Sequence, residues 1–145
     1  MKKLIFVFLI LILGGCTSQK AYTDFDYSFA RSGGRIPMYE NLLITGNNVH
    51  YSFEGQGKDI KKNFTISTKV LRNIEHTLAE NNFTRIQEDY KKIYDNVAVE
   101  INIKKGKNAG NKSDASLIMP KDQARWDEIV SAFQEVIDRN IKTES

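Results

Sequence analysis

The chain has 145 residues, with 21 Lys and Arg against 18 Asp and Glu and a formal net charge of +3. That length suits one domain with a real core, and so nearly neutral a balance carries no electrostatic footprint for nucleic acid. One cysteine and two histidines exclude an internal disulfide and leave too few converging ligands for a zinc site.

Lys2 and Lys3 precede an apolar run from Leu4 to Leu13, and the run ends in Leu13-Gly14-Gly15-Cys16. A basic start, a short apolar stretch and small residues before a cut make an export signal. With Leu at −3, Gly at −1 and Cys at +1, it resembles the bacterial lipoprotein signal, the lipobox. The resemblance implies loss of residues 1–15 and a diacylglyceryl thioether on Cys16, the new N-terminus and the lipid attachment site. The apolar run is about ten residues, against roughly twenty for a spanning helix. An uncleaved N-terminal anchor is the competing reading. Cleavage would remove Lys2 and Lys3 and leave 19 basic residues against 18 acidic. Each buried methylene adds roughly 0.8 kcal/mol, so two or three acyl chains would hold the protein on the membrane. Thr17 in place of Asp, by analogy with the usual sorting pattern, favours the outer over the inner membrane where the source has two.

Residues 16–24 read as a polar tether, and a single domain is expected over 25–140, with 141–145 a frayed tail. Phe25, Tyr27 and Phe29 alternate with polar or small residues, a half-buried strand pattern. Arg31-Ser32-Gly33-Gly34-Arg35 breaks it, as paired glycines do. A second strand runs from Tyr39 to Thr45. Gly46-Asn47-Asn48 suits a tight hairpin. The third strand places Val49, Tyr51 and Phe53 on the face of Leu42 and Ile44, and Phe64 and Ile66 mark a short fourth. Ser67 or Thr68 can cap a helix from about Lys69 to Glu80, with Val70, Leu71, Ile74 and Leu78 on one side. Asn81-Asn82 closes it.

Val97, Val99, Ile101 and Ile103 make the cleanest strand. Its expected partner is Ser113 to Met119, across a tip bearing Lys104, Lys105, Lys107 and Lys112. Pro120 suits a helix start. The stripe of Trp126, Ile129, Val130, Phe133, Val136 and Ile137 runs to Asn140. Strands with one polar face imply an antiparallel sheet open on one side. The expected fold class is α+β: two layers, about five to six strands, and two amphipathic helices on one face.

No nucleophile elbow occurs. His50 and His76 have no carboxylate at ligand spacing, so neither a metal nor a cofactor is expected beyond the lipid on Cys16. The strongest candidate for recognition is Arg31 to Tyr39. Glycines there let backbone N–H groups converge on an anion, and Arg31 and Arg35 offer forked donors beside Tyr39. The plainer reading of the segment is a connection between two strands. The same segment, with Tyr51-Ser52-Phe53-Glu54-Gly55, resembles an uncharacterised domain family of bacterial lipoproteins and secreted proteins. That family has a C-F-G-x-C-P-x-Y turn followed by a Y-x-G strand. Gly34, Pro37 and Tyr39 match. Ser32 and Ile36 replace the two cysteines, Gly33 stands for the Phe, and Tyr51 and Gly55 are spaced more widely.

The resulting expectation is a lipid-anchored envelope protein that binds rather than catalyses. Its partner would be an envelope protein or a peptidoglycan fragment. The alternatives are an inhibitor or immunity protein against an envelope hydrolase, and an envelope hydrolase itself.

Overall fold

The computed structural model describes residues 24–141. The expected signal, Cys16 and all but the last residue of the tether lie outside the described residues, as do residues 142–145.

Six strands form one antiparallel sheet: β1 (Tyr27–Gly33), β2 (Met38–Thr45), β3 (Asn48–Gly55), β4 (Lys58–Thr65), β5 (Val97–Ile103) and β6 (Gly110–Ser113). The order across the sheet is β4-β3-β2-β1-β5-β6. The first four strands form a meander, and β5 then closes on the free side of β1, so the first strand is central. Two helices, α1 (Thr68–Glu80) and α2 (Gln123–Ile141), pack on one face, which makes the fold α+β.

Period-2 alternation explains the sheet's core face. Tyr27, Phe29, Leu42, Ile44, Val49, Tyr51, Val99, Ile101 and Ile103 are all buried there. Phe29 stacks on Phe133 of α2 with ring centroids 5.6 Å apart. The stripe of α2 is buried as its spacing requires, at Trp126, Ile129, Phe133, Val136 and Ile137. Ser67 caps α1 through its side-chain oxygen, which accepts from the Val70 N–H at 3.3 Å. Asn82 takes the left-handed conformation after it, with φ 48°.

Both helices cross the sheet from edge to edge. The lead into α1 is bonded to the β2–β3 turn, with Ile66 N–H donating to Asn47 O at 2.9 Å. Beyond α1, Phe83 lies against Gly110 of β6. In α2, Trp126 donates to Asp114, just past β6, at 3.0 Å. Lys62 of β4 donates to Asn140 O near the other end at 3.0 Å.

Four boundaries differ from the expectation. β1 runs on to Gly33, because Arg31, Ser32 and Gly33 still pair with Glu40, Tyr39 and Met38. β4 is a full eight-residue strand rather than a short one at Phe64 and Ile66. Its charged residues suit an exposed edge, where lysine discourages pairing with another chain. The partner of β5 is Gly110–Ser113, and not Ser113–Met119. Residues 116–119 instead bond to 87–91: Asp89 N–H to Leu117 O, Lys91 N–H to Ser116 O, and Met119 N–H to Gln87 O. Finally, α2 starts at Gln123, after a turn through Pro120.

Candidate functional site

The three residues singled out at 31, 35 and 39 do not converge. Arg31 lies within β1 on the helix-covered face, where its register partner is Glu40. Arg31 Nη1 donates to Glu40 Oε2 at 3.1 Å and to Gln134 Oε1 of α2 at 2.9 Å. The other oxygen of Glu40 accepts from the Tyr51 hydroxyl at 2.9 Å, and Gln134 donates onward to Asp138 at 3.1 Å. Glu40 is a buried carboxylate with both oxygens satisfied. Burial and the Glu40 hydrogen bond together push the Tyr51 hydroxyl well above the ordinary value for tyrosine. Arg31 is therefore a structural cation between sheet and helix. Its length let it read equally well as a solvent-facing donor.

Arg35 stands exposed in the turn, and Tyr39 projects from the opposite face of β2 to Glu40. The glycines beside them serve the fold. A Cβ on Gly33, whose φ is +105°, would stand 2.7 Å from Asn96 O. The next N–H, of Gly34, donates to that same carbonyl at 3.0 Å, so it is not presented to an anion.

The two ends of the sheet differ. At the far end, the β1–β2 turn, residues 89–97 and residues 115–117 meet. Ile36, Tyr39, Tyr90, Tyr94, Val97 and Leu117 are exposed there, with Tyr90 at 81% and Ile36 at 66%. Among the other described large apolar residues only Ile60 is exposed, at 36%. Tyr90 has φ 56° and Asp95 φ 62°, conformations that residues other than glycine seldom take. Composition could have flagged this segment, since Tyr90 and Tyr94 sit among lysines with no helical or strand period.

At the near end, the chain enters β1 and the β5–β6 connection turns. Asp26 is tied there by Lys105 and by the Gly46 N–H, and both hold its carboxyl below the usual value. Lys104 Nζ stands 3.8 Å from the centre of the Phe25 ring.

A groove of about 650 Å³ separates the helices, lined in part by Lys69, Arg72, His76, Glu135 and Arg139. Its ionisable groups are partly committed: His76 pairs with Glu80 at 3.0 Å, and Arg139 pairs with Glu135. A smaller hollow of about 340 Å³ lies over Leu43, His50 and Asn63, where His50 and Asn63 are bonded at 2.7 Å. Among the described residues, no three His, Cys, Asp or Glu side chains are placed to hold a metal ion. No helix among them is long and apolar enough to cross a membrane.

No protein-family model matches the chain, and no curated protein matches it.

Proposed function

We propose that the chain is a lipid-anchored protein of the bacterial envelope that acts by binding a protein partner at the far end of its sheet. The observation that carries this reading is the exposure of Ile36, Tyr39, Tyr90, Tyr94, Val97 and Leu117, all on stretches that strand pairing and loop hydrogen bonds bring to that one end. Exposed apolar clusters mark interaction sites, and tyrosine is enriched at interfaces because it joins a large apolar body to a polar tip. Lipid attachment at Cys16 rests on the lipobox register. It supplies the location, and the far end supplies the contact.

The reading is tested in two steps. Cys16→Ser should leave an unprocessed precursor that takes up no labelled fatty acid, and label on that variant rejects the anchor. Capture of partners from solubilised envelope by the lipidated protein should then be lost in Ile36→Ser, Tyr94→Ser while the fold persists. An unchanged partner set rejects the far end as the binding surface.

A further inference from the structure

We infer that the near end of the domain is a membrane-facing surface, resting on anionic phospholipid headgroups and setting the domain's orientation. The inference rests on the lipid anchor at Cys16 proposed above.

The chain enters the fold at this end. Thr45 Oγ1 donates to Asp24 O at 2.9 Å, Asp26 N–H to Ile44 O at 2.8 Å, and Lys104 N–H to Asp26 O at 3.0 Å. Asp24 to Asp26 are thus wedged between the β2–β3 turn and the β5–β6 connection. The first turn of α1, with Lys69, starts beside the same β2–β3 turn. Residues 17–23 separate Cys16 from Asp24. At roughly 3.3 Å per residue, even a fully extended chain of that length reaches only about 25 Å. A lipid on Cys16 therefore keeps this end near the headgroups.

Charge is distributed to match. Residues 24–26, 66–69 and 104–112 carry Lys69, Lys104, Lys105, Lys107 and Lys112 against Asp24 and Asp26. The Asp26 carboxylate is already engaged by Lys105. At the far end, residues 34–39, 54–59 and 89–97 carry Arg35, Lys58, Lys91 and Lys92 against Glu54, Asp59, Asp89 and Asp95. Over these stretches the near end carries five lysines against two aspartates, while the far end balances four cations against four carboxylates. Attraction of lysine to an anionic surface fades within a Debye length, about 8 Å at physiological ionic strength. Only lysines close to the bilayer contribute, and the tether lets those of the near end come that close. The same orientation turns the apolar far end away from the membrane.

The test uses the full, lipidated protein in vesicles of phosphatidylcholine alone or mixed with phosphatidylglycerol. With Cys16 blocked by lipid, a single new thiol can carry a spin label, at Ala109→Cys for the near end or Tyr94→Cys for the far end. In the anionic vesicles, the label at 109 should relax strongly against a paramagnetic ion held at the headgroups, and the label at 94 should not. Lys69→Gln with Lys107→Gln, both at exposed positions, should cut the anionic-lipid signal about fivefold or more. Lipidated protein whose two labels read alike overturns the orientation alone. So does a signal at 109 that ignores both lipid charge and the lysine substitutions. An intact mass without added lipid overturns the anchor and this inference with it.

Discussion

Arg31 and Glu40 face each other across the β1–β2 ladder and join through a 3.1 Å ion pair, with 31% of the arginine side chain exposed but only 7% of the glutamate. The asymmetry decides what substitution does. Removing Arg31 leaves a nearly buried carboxylate without its countercharge, with the Tyr51 hydroxyl still donating to its other oxygen. Breaking a fully buried pair costs about 3–5 kcal/mol, and the partial exposure of Arg31 lowers this to about 2–3 kcal/mol. Arg31→Ala should shift the denaturant midpoint accordingly, whereas Arg35→Ala should cost less than about 0.5 kcal/mol. Replacing both members, as Arg31→Met with Glu40→Leu, should recover much of the loss. Equal small effects from the two single arginine variants would remove Arg31 from the structural network.

Phe133 is fully buried and stacked on Phe29. It is the middle of the helix–sheet seam, so truncation leaves a cavity with rigid walls. Phe133→Ala should cost roughly 3–5 kcal/mol in denaturant melts. A loss no larger than that of an exposed site would contradict the packing of α2 on β1.

Two carboxylates give the protein an acid limit. Arg125, and then the Gln87 N–H, hold the Asp122 carboxyl below its ordinary 3.8; Lys105 and the Gly46 N–H do the same for Asp26. The folded state thus binds these protons less readily than the unfolded chain. The stability they contribute is complete above about pH 4 and is lost as pH falls through the lower folded values. Asp122→Asn should flatten the stability profile below pH 4, measured by melts across that range. An unchanged acid slope would show that Asp122 makes no such contribution.

At the other extreme, Tyr27 and Tyr51 are both held protonated, mainly by burial, with Glu75 and Glu40 accepting from their hydroxyls. Their folded values lie above the ordinary 10.0. Stability from this source is full below pH 10 and declines as pH rises further. Tyrosinate absorbance should therefore show two late-titrating groups that ionise only as the protein unfolds. Tyr27→Phe and Tyr51→Phe should each remove one. Absence of the late step would place both hydroxyls in contact with solvent.

Alternation and capping made most of the fold legible. Leu42, Ile44, Val49 and Tyr51 share a face because strand side chains repeat every two residues. Ser67 and Asn82 mark the ends of α1 because only certain residues satisfy or tolerate those positions. Edge strands were less readable. β4 pairs through backbone that Lys58, Asp59, Lys61 and Lys62 disguise as a loop, and β6 is four residues of Gly, Asn, Lys and Ser. Arg31 was misplaced for a related reason: a long cation after an alternating strand looks like its end. Only the register with Glu40 shows that the strand continues. The far end was invisible because its six apolar residues come from separate stretches of chain that the fold alone brings together.

The place of β1 between β2 and β5 bears on how the protein assembles. β1 to β4 can zip up through short turns, a fast and local process. The pairing of Tyr27 with Ile103 must wait for most of the chain, and closing so long a loop is slow. Synthesis runs from the N-terminus, so a half-made chain presents β1 as an open edge with Phe29 uncovered. The ring that covers it belongs to α2, which follows all six strands in the chain. The vulnerable interval for proteolysis or aggregation therefore ends only when Phe133 is in place against Phe29.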